Sequence, residues 1–331
     1  MQYKFLGRTG VKVSQICLGT MTFGGDSDEK TSADVYHYSR EAGINFFDCA
    51  DVYVGGRSEE ILGDLVRDHR DQVVIASKAY FSTGEDVNAG GSSRRHLMLS
   101  VEGSLRRLGT DRLDLFYLHR FDDTTPLEES LRALDDLIQQ GKILYLGVSN
   151  FAAWQVEKAL GISALHNWSR FECIQPMYNL VKRQAEVELL PMAAAEGLGV
   201  FPYSPMGGGL LSGKYGADER PDAGRLVENE MYQERYSGNW VYRTAGEFTA
   251  LAGRYGFHPA ALAVAWVGSH PAVTAPILGA RTLAQLKQSL QAVEIEMTDE
   301  LRAEISALSP EPPPATDRSE EATSKTFGVR K

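Results

Sequence analysis

Leu113-Asp114-Leu115-Phe116-Tyr117-Leu118, closed by His119, is apolar at nearly every position, on both alternating faces. A strand of that kind suits a parallel sheet covered by helices on both sides. Seven more runs of strand type flank it: Ile16-Cys17-Leu18, Phe46-Phe47, Val73-Val74-Ile75, Ile143 to Val148, Cys173-Ile174, Gly199 to Tyr203 and Ala275 to Leu278. Helical patterns lie between them. Glu29 to Glu41 stops before Gly43, His96 to Leu108 before Gly109, and Leu127 to Gln140 before Gly141. Each glycine suits a left-handed C-terminal cap. Ser58 to Val66 reads as a helix capped by its serine, with Glu59 and Glu60 at the positive end.

Eight strand–helix alternations predict an α/β chain folded as a (β/α)8 TIM barrel. A doubly wound open sheet is the rival. It lacks its usual support, because no GxGxxG joins an early strand to a helix. Tyr3 to Val13, turning at Gly7-Arg8-Thr9-Gly10, predicts an N-terminal hairpin that caps one end. Gly216 to Gly246 is polar and predicts a long loop after the seventh strand, on the active face. The organisation expected is one barrel domain over 1–310 and a mobile tail over 311–331, which opens on prolines and charges.

The 331 residues are 43% hydrophobic and 24% charged, an ordinary globular mixture. Net charge is −10, without the basic footprint of a nucleic-acid or anionic-membrane binder. Cys17, Cys49 and Cys173 form no CxxC pair, and no zinc-type cluster stands out, so no metal is expected. Isolated cysteines, Met1 to Gly10 without an apolar signal core and the absence of a long apolar stretch predict a cytoplasmic protein.

In such a barrel the strand C-terminal ends carry the chemistry. Asp48 ends the second strand with Tyr53 five residues on, Lys78 ends the third and His119 the fourth. Alone, each has a plain reading: Asp48 as a turn residue, Tyr53 as a half-buried aromatic, His119 as a structural imidazole. Lys78 is less plain, since an ammonium at an apolar strand end is costly unless paired. Together they predict carbonyl chemistry. A phenol with an ordinary pKa of about 10 is expected to be made acidic by the ammonium, which the carboxylate holds, while the imidazole orients a carbonyl.

Phe46-Phe47-Asp48-Cys49-Ala50-Asp51-Val52-Tyr53 with Ser58-Glu59 resembles the aldo-keto reductase signature. So do Leu113 to His119, Gly147-Val148-Ser149-Asn150-Phe151, Gln175-Pro176-Met177-Tyr178-Asn179 and Tyr203-Ser204-Pro205-Met206-Gly207. The resemblance runs from about Gly7 to about Ile295. It implies the barrel fold and NADPH-dependent reduction of an aldehyde or ketone without metal, with NADH as a possible substitute. Tyr53 would be the general acid, tuned by Lys78 and Asp48, with His119 orienting the substrate. Ser149, Asn150 and Gln175 would hold the nicotinamide carboxamide and Tyr203 would stack on its ring. Gly19, Thr20 and Met21 would join the cofactor contacts. Ser204, Pro205, Met206, Gly207, Leu211 and Lys214 belong to the loop over the pyrophosphate.

The segment from Gly279 resembles the adenosine-phosphate site, where Arg281 would fork onto a 2′-phosphate and Gln288 and Ser289 would face adenine. Gly279-Ala280 replaces a frequent Lys-Ser, Gln285 an Arg and Ser289 an Asn. Met21, Phe23, Val54, Tyr80, Phe81, Arg120 and Trp240 would line the pocket for a small carbonyl substrate. Two other classes stay open. One is a channel-associated sensor, in whose branch an asparagine tends to stand where His119 is. The other is a lyase or isomerase on the same barrel. Oligomeric state is left open.

Overall fold

The chain's computed structural model describes residues 1–217, 219–318 and 320. It opens with two strands, β1 (Tyr3–Phe5) and β2 (Lys12–Ser14), paired antiparallel with Tyr3 opposite Ser14. Eight parallel strands follow: β3 (Cys17–Gly19), β4 (Phe46–Asp48), β5 (Val74–Ala79), β6 (Leu113–Leu118), β7 (Ile143–Ser149), β8 (Phe171–Gln175), β9 (Gly199–Val200) and β10 (Ile277–Leu278). Their order is β10-β3-β4-β5-β6-β7-β8-β9. The ring closes through backbone: Thr274 N–H donates to Val200 O at 2.9 Å and Ile277 N–H to Pro202 O at 2.8 Å. This is the (β/α)8 barrel that the alternation predicts.

The first helices are α1 (Glu29–Glu41), α2 (Arg57–Val66), α3 (Arg94–Leu108), α4 (Leu127–Gln139), α5 (Ala153–His166) and α6 (Leu189–Glu196), one after each of β3 to β8. Past β9 come α7 (Arg225–Glu228), α8 (Glu230–Arg235), α9 (Asn239–Tyr255) and α10 (Pro259–Gly268). The last two are α11 (Leu283–Leu290) and α12 (Asp299–Ser306). Gly109 caps α3 at φ +61°, as its position suggests.

Two expectations need correction. Ser58 does not cap α2; that place belongs to Gly56, and Ser58 Oγ instead donates to Thr20 O at 2.7 Å. Gly216 to Gly246 is not one long loop, since it holds α7, α8 and the start of α9. Leu226, Tyr232, Tyr236 and Val241 are buried while Val227, Met231 and Trp240 are exposed, so apolar residues lie on both faces and the helical period was faint. Of the tail expected at 311–331, residues 319 and 321–331 lie outside the described residues.

Side chains alternate across a strand, so every second residue enters the barrel. Cys17, Phe46, Val74, Ala76, Leu115, Tyr117, Cys173, Phe201, Ala275 and Ile277 fill it, and Leu6 and Val13 of the hairpin segment pack against them from below. The intervening residues, among them Phe47, Ile75, Phe116, Leu118 and Ile174, pack outward under the helices. Gly147 marks the tightest place. A Cβ there would stand 2.5 Å from the Tyr117 ring and 2.7 Å from Cys173 Sγ. The same parity lifts Asp48, Lys78, His119 and Gln175 onto the inner face, above the apolar filling.

Candidate active site

Lys78 is fully buried, and a buried ammonium must spend its three protons on acceptors. It does. Nζ lies 2.6 Å from Asp48 Oδ2, 2.6 Å from Cys49 O and 3.2 Å from Tyr53 Oη. Asp48 Oδ1 accepts from Gln175 Nε2 at 2.8 Å, so both carboxylate oxygens are bonded. β4, β5 and β8 therefore build one network, which the turn after β4 completes with Tyr53. In that turn Val54, Gly55 and Gly56 all take left-handed backbone, and the β-branched Val54, at φ +50°, is the strained one.

Burial pushes Tyr53 up to about 12; Lys78 pulls it down and Asp48 pushes it up. The ammonium favours the phenolate through its charge and its hydrogen bond, and burial outweighs it. Burial also works against the charged form of Lys78, yet Asp48 and Tyr53 together hold it above the ordinary lysine value. His119 is held well below the ordinary histidine value by burial and by the charge of Lys78, which leaves its imidazole neutral. Its ring stands edge-on to Tyr53 at 5.9 Å and to Phe81 at 4.9 Å. Its Nδ1 is buried without a hydrogen-bond partner among the described residues.

The residues expected to hold a carboxamide bond to one another. Ser149 Oγ donates to Gln175 O at 2.9 Å. Asn150, at φ +56°, donates from Nδ2 to His119 O at 2.9 Å, and its Oδ1 accepts from Tyr203 Oη at 2.7 Å. A polar chain thus runs from His119 through Asn150 to Tyr203. Beyond it Ser204 and Gly207 to Gly209 take left-handed backbone. Pro205 is buried, Met206 is half-buried and Lys214 is exposed. Leu211 is wholly buried in the core, so its side chain is packing.

The segment expected to hold adenosine follows β10. Gln285 Oε1 accepts the Arg281 backbone N–H at 2.9 Å, and Thr282 caps α11. Gln285 is thus turned onto its own helix start, contrary to the expected ligand role. Arg281 Nε lies 2.9 Å from Asp26 Oδ2. Ser289 is buried with its Oγ 3.7 Å from Met206 Sδ, which joins α11 to the loop after β9; Gly279 and Gln288 are exposed.

Tyr80, Phe81 and Arg120 gather beside His119: Phe81 is edge-on to Tyr80 at 5.3 Å and the Arg120 guanidinium stands 6.0 Å over the Tyr80 ring. Met21 and Val54 are exposed, and Trp240 stands on the first turn of α9. Gly19 is half-buried at the end of β3. Two expectations fall. Phe23 is fully buried and cannot line a pocket, because its short loop folds it into the core. Thr20 is fully buried too, and its hydroxyl donates to Asp48 O at 3.1 Å and accepts from Ser58 Oγ at 2.9 Å.

Other residues had no expected role. Asn179 Nδ2 donates to Ser204 O at 3.0 Å and to Tyr236 Oη at 3.2 Å, which fixes the loop after β9. Tyr232 covers Gly208, where a Cβ would come within 2.7 Å of its ring. Glu59 is fully buried and takes Ser77 Oγ at 2.5 Å and Arg107 at 2.7 Å. Asp51, also buried, has no well-formed hydrogen bond to either oxygen among the described residues; burial, then the Glu59 charge, push it up to about 7 against the pull of Arg107.

Among the described residues no group of three or more His, Cys, Asp or Glu side chains could hold a metal ion, and no helix is long and apolar enough to cross a membrane. Barrel and mouth together define a (β/α)8 oxidoreductase that acts on carbonyl or alcohol groups with NAD(P)H. More particularly, the Aldo/keto reductase family model matches residues 15–310, and the chain belongs to that family. It is 36% identical to the uncharacterized oxidoreductase YrpG of Bacillus subtilis, over 94% of this chain and 97% of that protein. A probable voltage-gated potassium channel subunit beta of Oryza sativa is also 36% identical, over 96% and 99%. The versiconal hemiacetal acetate reductase of Aspergillus parasiticus is 32% identical, over 91% and 94%.

Proposed function

We propose that this chain, as one barrel domain over 1–310, reduces small aldehydes and ketones to alcohols with NADPH in the cytoplasm, with Tyr53 as the general acid. The observation that carries this is the Lys78 ammonium, whose third acceptor is the Tyr53 hydroxyl. A phenol held near 12 keeps its proton at neutral pH, which is what an acid must do before it reacts. When the carbonyl oxygen gathers charge, Tyr53 Oη gives it the proton. The phenolate left behind is stabilised by Lys78, and water returns the proton. Neutral His119 offers a ring nitrogen to orient the carbonyl, beside the aromatic wall of Tyr80 and Phe81.

The residues present fit a nicotinamide cofactor. The Asn150 amide accepts from the hydroxyl of the half-buried Tyr203 ring, and left-handed glycine backbone follows after β9. Asn150, Ser149 and Gln175 would hold the carboxamide, Tyr203 the ring and Arg281 a phosphate; reduced nicotinamide supplies the hydride when bound. The test is a panel of carbonyl substrates including 4-nitrobenzaldehyde, followed by NADPH absorbance. Turnover that disappears in Tyr53→Phe supports the reading; equal turnover in the variant overturns it. A second reading, an accessory channel subunit, draws on the relatives that bear that name. His119, where the resemblance associates that branch with asparagine, favours turnover, and the same panel decides between them.

A further inference from the structure

We propose that Asp26 sets the cofactor choice of this enzyme: its carboxylate occupies the Arg281 guanidinium in place of a phosphate and lowers the preference for NADPH over NADH. The inference rests on the reading above that Arg281 receives the 2′-phosphate.

Asp26 does not reach Arg281 by chance from a loose loop. Within the β3–α1 connection, Gly24 N–H donates to Ser27 O at 2.8 Å and Ser27 N–H to Thr22 O at 2.9 Å. The turn is then tied to the segment after β10. Thr22 Oγ1 donates to Ala280 O at 3.0 Å and Ser27 Oγ to Arg281 O at 3.1 Å. On the other side Gln285 fixes the Arg281 backbone N–H. Both partners are thus presented by anchored backbone, and Nε and Oδ2 meet at 2.9 Å with the side chains 33% and 48% exposed.

A carboxylate and a phosphate compete for the same guanidinium N–H groups. Gly279 and Ala280 add no second cation, so the pair presents one positive and one negative charge. A phosphate dianion arriving there loses part of the Arg281 fork and meets a like charge a few ångströms away. A cofactor that ends in a plain ribose meets neither. Because Asp26 is half in water, the penalty is modest and falls as salt rises. Removing it leaves the loop held by Thr22 and Ser27.

Isothermal titration of the full chain with NADPH, NADH, 2′,5′-ADP and 5′-AMP tests this, in wild type, Asp26→Asn, Asp26→Ala and Arg281→Gln. Expected is about three- to tenfold tighter binding of NADPH and 2′,5′-ADP in both Asp26 variants, shrinking with salt, with NADH and 5′-AMP unchanged. Arg281→Gln should weaken only the two phosphorylated ligands. If the Asp26 variants bind NADPH no better, or worse, while Arg281→Gln loses it, Asp26 is not a competitor and the inference falls alone. If Arg281→Gln leaves all four ligands unchanged, the phosphate reading of Arg281 falls with it.

Discussion

At one end of the barrel mouth Lys78 is wholly buried, and its ammonium is matched by Asp48, Cys49 O and Tyr53. At the other, Arg281 meets Asp26 with a third of its side chain in water. Both are ion pairs at 2.6 and 2.9 Å, and length hardly separates them. Solvent does. In the dry network a missing partner strands a charge that nothing else can satisfy. At the wet site water replaces a lost partner at little cost, so the pair can open for a ligand. The buried end is therefore suited to hold reacting groups still, and the exposed end to choose what binds.

The contrast can be broken in several places. Tyr53→Phe keeps the ring and removes the acid; kcat for carbonyl reduction should fall about 10²- to 10⁴-fold with NADPH binding retained, read by steady-state absorbance and titration. Lys78→Met strands Asp48 and should cost about 3–5 kcal/mol in urea unfolding. Adding Asp48→Asn should recover part of that; no recovery would mean that the two groups do not act as a pair.

Asp51 gives a pH-dependent version of the same rule. Its folded value of about 7 lies above the roughly 3.9 of an unfolded aspartate, so the folded state keeps a proton that the unfolded state releases. Stability from this group is intact below about pH 4 and is lost as pH rises to about 7. Asp51→Asn cannot ionise, so its stability relative to wild type should climb by a few kcal/mol between pH 4 and pH 8. A flat difference across that range in chemical unfolding would show that Asp51 is not held protonated. The smallest effect belongs to the wet end: Asp26→Ala should change stability by less than about 1 kcal/mol, within a degree or two of Tm, although it changes ligand choice. A larger loss would move Asp26 into the buried class.

Much of the dry end was legible. Asp48, Lys78 and His119 interrupt apolar runs at strand ends, where a charge or imidazole needs a reason to be present. Phe23 misled because an aromatic after a strand reads the same whether its loop turns it into the mouth or the core. Gln285 misled because a position on a helix start does not say whether the side chain faces a ligand or its own backbone. Asp51 and Glu59 stood in the quoted motif, but only the packing of α2 and α3 showed that both were buried and that Arg107 bonds directly to Glu59.

From the chain of residues alone follow the eight alternations, the parity that aims Asp48, Lys78 and Gln175 inward, and the chemistry those types can perform, because strand period and residue chemistry are local properties. Tertiary structure alone decided how strongly each group holds its proton and which partner it meets. The balance of burial against the Lys78 charge at Tyr53, and Arg281 facing Asp26, depend on distance and on water, and both are set by segments far apart in sequence.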